Sequence, residues 1–97
     1  MTDCVDDPAA FACLSPAQQT CLLTWIAHAL RPARRASPWS SYGVKHVYSA
    51  GSGIYVTNGE FKGAMLAAGY PPIDPTAQNW RFRATLAPAV AAVRHGH

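Results

Sequence analysis

The sequence predicts one small domain, mainly α with a small β element, arranged as a winged helix-turn-helix. Its 97 residues are 49% hydrophobic and 10% aromatic, enough for a single core but too few for a multi-domain enzyme. Two segments open with capping boxes, which favours helices, and a later segment alternates apolar and cationic residues, which favours a strand. No apolar run approaches the roughly 20 residues of a membrane span, so no membrane partner is expected.

The chain is expected to divide into three parts. They are an acidic, partly flexible leader, the winged-helix-like domain and an Ala-rich C-terminal segment, over residues 1–13, 14–87 and 88–97. From Pro8 onward eight bases stand against two acids, a net charge of +6. This charge should attract a polyanion or an acidic protein surface, although a small basic protein can also be simply soluble.

The first predicted helix begins at Ser15-Pro16, where Ser15 is the N-cap and Gln18 completes a capping box. Apolar residues then recur at helical spacing as far as Leu30. Arg31-Pro32 ends the helix. Residues 31–41 are expected to form a loop, because two prolines forbid a continuous helix there, and this loop is the most basic segment.

A second, short helix is expected over residues 42–49, with its apolar residues on one side and Lys45 on the other. The run Gly51-Ser52-Gly53 stops this helix. Residues 54–56, Ile-Tyr-Val, are β-forming and predict a small strand.

Thr57 and Glu60 form a second capping box, which predicts a third helix from Asn58 to Ala68. Residues 79–86 then alternate apolar and polar side chains, the pattern of a half-buried strand with two cations facing solvent. Two helices with a short connection, followed by an extended segment, are typical of a helix-turn-helix with a β wing. The connection here, residues 51–56, is longer than the three-to-four-residue turn of the tight motif, and such lengths occur in winged variants whose connection contains a strand.

In this arrangement the third helix would read DNA, with Asn58 at an adenine edge and Lys62 at a guanine or a phosphate. Arg81 and Arg83 would lie over flanking phosphates or in a minor groove. The other candidate binding residues are three more cations and the aromatic side chain expected to be exposed: Arg34, Arg35, Lys45 and Trp39. Purely structural interpretations remain open. Asn58 would then only start the helix, and Lys62 would be an ordinary exposed helix lysine. Arg81 and Arg83 would only keep an edge strand from pairing.

Three stretches read SYGVKH, YVTNGEFKGAM and NWRF, at residues 41–46, 55–65 and 79–82. This pattern resembles small uncharacterised proteins of phages and mobile elements. The resemblance implies a genomic setting of host takeover, mobile-gene regulation or inhibition of host defence. Proteins in that setting include winged-helix regulators and anti-CRISPR proteins. No activity is attached to the pattern, so it implies no site residues.

Two functions of different classes follow. The first is a DNA-binding winged-helix regulator, whose partner is double-stranded DNA and for which a homodimer is one option. The second is an inhibitor of a host nucleic-acid machine, of the anti-CRISPR type, which binds a host nucleic-acid-binding protein by its surface without catalysis. No catalytic, phosphate-loop or metal-ligand motif is present, so no enzyme, cofactor or metal is expected. Three cysteines and no signal peptide indicate reduced thiols and a cytoplasmic location.

Overall fold

A computed structural model describes residues 6–87, which form three α-helices, a 3₁₀ helix and two short strands. In chain order these are the 3₁₀ helix Pro8–Cys13, α1 Pro16–Ala29, β1 Leu30–Pro32, α2 Ser41–Ser52, α3 Asn58–Ala67 and β2 Ala84–Leu86. The predicted mainly helical α+β class is confirmed. The predicted Ala-rich segment, residues 88–97, lies outside the described residues. Within residues 6–87, no helix is both long and apolar enough to cross a bilayer.

Helices α1 and α3 begin at the two capping boxes that the sequence predicts. Ser15 Oγ accepts the Gln18 N–H at 3.2 Å, and Gln18 Oε1 accepts the Ser15 N–H at 3.0 Å. Thr57 and Glu60 repeat this exchange at 3.1 and 2.8 Å. Each box satisfies two backbone N–H groups that the first turn leaves without an intrahelical acceptor. The predicted starts of both helices are therefore confirmed.

Helix α2 is longer than predicted and runs through Gly51 to Ser52. Its N-cap is Ser40, whose hydroxyl accepts the Gly43 N–H at 3.3 Å. The helix ends at Gly53, which has a φ of 75°. This left-handed conformation is easily adopted by glycine and turns the chain out of the helix. The predicted run Gly51-Ser52-Gly53 does stop the helix, but only at its last residue, so α2 ends three residues later than the predicted residue 49.

The two strands pair antiparallel, with Leu30 opposite Leu86. The strand predicted over residues 79–86 is thus formed in its last three residues, and the predicted loop begins only after β1. The small strand predicted at residues 54–56 is not formed, and this segment is a link between α2 and α3. β-Forming residues make a strand only where a neighbouring strand supplies hydrogen bonds, and this link has none.

Two buried serines extend the strand pairing through their side chains. The Ser37 N–H donates to the Phe82 carbonyl at 2.7 Å, and the Ser37 hydroxyl accepts the Phe82 N–H at 3.2 Å. Ser41 makes the same two bonds with Trp80, at 2.6 and 3.0 Å. Each hydroxyl thus replaces the backbone carbonyl that a neighbouring strand would offer. The backbone N–H and carbonyl groups of Trp80 and Phe82 are therefore satisfied although the facing segment is not a strand.

The core lies between the three helices and the segment of residues 80–86. Its largest fully buried hydrophobic side chains are Leu22, Ile26, Val44, Tyr48, Phe61, Met65 and Phe82. Trp80, an apolar residue of the predicted alternating strand, is 5% exposed. Trp39, predicted to be the exposed aromatic, is also 5% exposed, with its ring centroid 6.3 Å from that of Phe82. That prediction is wrong because Ser37 and Ser41 tie the surrounding loop to the strand segment over the core.

The 3₁₀ helix packs directly on α3, and two glycines of α3 permit this approach. A Cβ atom on Gly59 would lie 2.6 Å from the Asp7 nitrogen, and one on Gly63 would overlap the Pro8 carbonyl and the Phe11 side chain. Glycine inside a helix costs about 1 kcal/mol relative to alanine, and the close packing offsets that cost. With this cover, seven of the ten residues of α3 are buried.

Candidate functional site

Five arginines are exposed on two neighbouring extended segments, and we call them the arginine surface. They are Arg31, Arg34, Arg35, Arg81 and Arg83. The predicted alternation is confirmed, with Trp80, Phe82 and Ala84 buried and the residues between them exposed. Arg31 lies directly opposite Thr85 in the strand pair, and directly opposed residues share a face of the sheet. The surface therefore continues from one segment to the other.

Hydrogen bonds to backbone carbonyls fix two of these guanidinium groups. Arg83 Nη1 donates to the Arg34 carbonyl at 2.9 Å and so joins the two segments. Arg31 Nη1 donates to the carbonyls of Ala27, His28 and Leu30 at 3.2, 3.1 and 2.9 Å. These carbonyls lie at the C-terminal end of α1, where free acceptors and the helix dipole both favour a cation. A guanidinium has five N–H donors, so each group keeps donors for an external anion.

The carboxylates of residues 6–87 make their hydrogen bonds with groups other than these arginines. Asp74 accepts the N–H and the hydroxyl of Thr76 at 3.0 and 2.6 Å. Asp7 accepts the Ala9 N–H at 2.9 Å, and Glu60 belongs to the α3 capping box. Asp6 binds amide side chains, as described below. None of these hydrogen bonds involves an arginine, so the charge of the arginine surface is available to a partner.

Asn58 and Lys62, predicted to face solvent on a reading helix, are each 3% exposed. The Asn58 side chain accepts the Ser41 hydroxyl at 2.8 Å and donates to Asp6 Oδ1 at 2.9 Å and to the Gln78 carbonyl at 3.0 Å. Lys62 Nζ lies 4.8 Å from the Trp80 ring centroid and donates to the Asp6 carbonyl at 3.3 Å. The predicted exposure is wrong because residues 6–13 cover this side of α3.

Lys45, predicted on the solvent side of α2, is 4% exposed, so that placement is also wrong. Its Nζ lies 5.0 Å from the ring centroids of both Tyr42 and Tyr55. Burial of the Lys45 side chain lowers its pKa, because the charged form loses hydration. The two rings and Lys45 form one side of a cleft of about 390 Å³. We call it the tyrosine cleft. Its lining residues are Asp6, Tyr42, Lys45, His46, Tyr55, Asn58, Gln78 and Asn79.

Asp6 is the residue that the sequence analysis missed. Its Oδ1 accepts the Asn58 amide at 2.9 Å, and its Oδ2 accepts the Gln78 amide at 3.1 Å. The hydrogen bond from Asn58 lowers the pKa of Asp6, opposed by burial and assisted by Gln78 and the charge of Lys62. One signal was available: Gly59 and Gly63, four apart in a predicted helix, indicate that another part of the chain approaches closely.

The predicted binding residues thus separate into two sets. Arg34, Arg35, Arg81 and Arg83 come together with Arg31, whereas Trp39, Lys45, Asn58 and Lys62 are buried apart from them. Within the described part of the chain, no three His, Cys, Asp or Glu side chains are placed to hold a metal ion. No protein-family profile, no curated protein and no solved structure matches this chain.

Proposed function

We propose that this protein binds double-stranded DNA by contacts from the arginine surface to backbone phosphates. The observation that carries the proposal is the exposure of all five arginines of residues 6–87 on two segments joined by the Arg83–Arg34 hydrogen bond. Arginine binds phosphate oxygens with a planar, charge-assisted fork of donors. Phosphate contacts also release counterions from DNA, which supplies most of the affinity of sequence-independent binding.

This mode of binding has little sequence preference, because the two side chains that would read bases are occupied. Asn58 donates to the Asp6 carboxylate and to the Gln78 carbonyl, and Lys62, which donates to the Asp6 carbonyl, is buried. Phosphate contacts fix orientation on the duplex but carry no base information directly. We therefore propose a DNA-binding protein that covers or bends DNA in a phage or mobile-element setting. It would affect transcription by occupying the DNA rather than by recognising a particular sequence.

The element order supports a winged-helix-like interpretation of this DNA-binding domain. Strand β1 lies between α1 and α2 and pairs antiparallel with β2, which follows α3. In our proposal the β1–β2 side faces the DNA and α3 is a packed core helix. Cys13 and Cys21 are unpaired and exposed, which fits a reducing compartment such as the cytoplasm.

The second candidate is a surface-binding inhibitor of a host nucleic-acid machine. It is favoured by the exposure of Tyr42 and Tyr55, 51% and 72%, in the same molecule as exposed arginines. Tyrosine and arginine are the residues enriched at the energetic centres of protein interfaces. Such an inhibitor would bind an acidic protein surface and would retain no DNA.

Fluorescence anisotropy with a mixed-sequence duplex, at about 50 and 200 mM salt, tests the first candidate. The variant to use is Arg35→Gln with Arg81→Gln, because neither side chain makes a hydrogen bond within residues 6–87 and folding should be unaffected. Each lost phosphate contact should reduce the slope of log K against log salt by about 0.9, so this double variant should lose about 1.8. The matched Arg→Lys pair should keep most of the slope.

The competing outcomes are distinct. Failure of the wild-type protein to bind duplex at the lower salt concentration removes the DNA proposal. Equal binding by wild type and the Gln variant assigns the affinity to another surface. Capture of one stoichiometric host protein without DNA, lost in the same Gln variant, favours the inhibitor instead.

A further inference from the structure

The tyrosine cleft has the size of a small-ligand site and is not used by the arginine surface. Its volume of about 390 Å³ lies within the range of known ligand pockets, roughly 300–1,000 Å³. It opens between α2, the link from α2 to α3, and residues 78–79. Asp6 and Asn58, joined by a hydrogen bond of 2.9 Å, also line the cleft.

Lys45 supplies this cleft with a cation that has no hydrogen-bond acceptor. Lys45 is 4% exposed, and its Nζ donates no hydrogen bond to an acceptor within residues 6–87. The two tyrosine rings, each 5.0 Å away, compensate its charge only by cation–π attraction. Solvent still reaches Nζ, so its three N–H donors can bond an anionic group that enters the cleft.

The two tyrosine rings beside this cation are open to solvent. Tyr55 is 72% exposed and Tyr42 is 51% exposed. Tyr42 is held by an edge contact with His46, with ring centroids 4.5 Å apart. Exposed aromatic faces next to a cation are the elements by which proteins hold single-stranded nucleic acid, since every base can stack on a ring.

Gln78 and Asn79, which also line the cleft, offer one hydrogen-bond acceptor and one set of donors. Gln78 Nε2 donates to Asp6 Oδ2, so the Gln78 side-chain oxygen keeps its acceptor capacity. Asn79 Oδ1 accepts the Asn58 amide, so the Asn79 side-chain nitrogen keeps its donors. Within residues 6–87 these two groups have no other partner. A neighbouring acceptor and donor suit the edge of an unpaired base.

We propose that the tyrosine cleft binds one unpaired nucleotide, with its base stacked on Tyr55 and its phosphate at Lys45. This inference rests on the proposed function and deepens it, because it adds single-stranded or locally melted DNA to the ligands of the arginine surface. A duplex base cannot reach the cleft without leaving its stack.

Anisotropy with a short oligothymidine and with a duplex of equal length tests this assignment. Tyr55→Ala should weaken oligothymidine binding about tenfold, the loss expected for one stacked base, and should leave duplex binding unchanged. Tyr55→Phe, which keeps the ring, should stay within about twofold of wild type. Lys45→Met should weaken oligothymidine binding in the same direction, and thermal melting reports whether that buried position still folds.

The failures of the two proposals can be told apart. Loss of duplex binding in the Arg35/Arg81 Gln variant with loss of oligothymidine binding in Tyr55→Ala supports both. Wild-type protein that binds oligothymidine through Tyr55 but binds no duplex overturns the proposed function and keeps the cleft. Absence of oligothymidine binding, or equal binding by wild type and Tyr55→Ala, overturns the cleft. Displacement of oligothymidine by an acidic peptide but not by thymidine monophosphate also overturns it.

Discussion

Gly63→Ala should destabilise the protein, although alanine is the better helix former. In a helix interior this exchange alone should stabilise by about 1 kcal/mol. Here the new methyl group would overlap the Pro8 carbonyl and the Phe11 side chain, so the 3₁₀ helix must retreat by about 1 Å to restore ordinary contact distances. That retreat also lengthens the 3.3 Å hydrogen bond from Lys62 to the Asp6 carbonyl.

The balance between the gain in helix propensity and the cost of overpacking decides whether Gly63→Ala stabilises or destabilises the protein. Overpacking at a backbone contact costs about 1–3 kcal/mol, and the lost lysine contact places this case near the upper end. After the helix gain is subtracted, we expect a net loss of about 2 kcal/mol, or a melting temperature lower by about 8–16 °C. The loss cannot exceed the free energy with which the 3₁₀ helix docks, because that segment can detach.

Thermal melting followed by circular dichroism measures this difference against a matched control. Gly51→Ala in α2 places its methyl group where no atom lies within 4 Å, so it should stabilise by up to about 1 kcal/mol. Equal melting temperatures for the two alanine variants would refute the reasoning, since the close approach would then have no energetic effect.

Two further predictions concern the polar groups of the interior. Ser41→Ala should cost about 1–3 kcal/mol in urea unfolding, because it leaves the Trp80 N–H without its acceptor and removes the hydroxyl that Asn58 accepts. Ser49→Ala is its control and should be neutral or stabilising, since the buried Ser49 hydroxyl has no partner within residues 6–87. Asp6 has a pKa below its ordinary 3.8, so its contribution is present above that value and is lost as the pH falls through the folded-state pKa. Urea unfolding between about pH 6 and 2.5 should therefore show a steeper loss for wild type than for Asp6→Asn, and parallel curves would contradict the assignment.

Local signals in the sequence predicted the helices well. The capping boxes at Ser15 and Thr57 locate two helix starts because a cap depends on residues only three positions apart. The alternation over residues 80–86 likewise identifies Arg81 and Arg83 as exposed. These features depend on neighbours in the chain, so one sequence is sufficient to find them.

The burial of Lys45 and Lys62 could not be predicted in this way. Helical spacing places Lys62 on the side of α3 away from the core, and the 3₁₀ helix then covers that side. The long aliphatic stem of lysine is apolar enough to be buried when its ammonium finds an aromatic ring. Trp39 was misplaced for a related reason: the serine hydroxyls that hold its loop have no periodic pattern in the sequence.

The hydrogen bonds of Asp6 also constrain when this molecule can finish folding. Its partners Asn58 and Gln78 lie 52 and 72 residues further along the chain. At a synthesis rate of about 5–20 residues per second, Gln78 is made roughly 4–14 s after Asp6. During that interval the Asp6 carboxylate lacks its hydrogen bond from Gln78. Substitutions near residue 6 should therefore alter the lifetime of the nascent, incompletely packed chain as well as the stability of the finished protein.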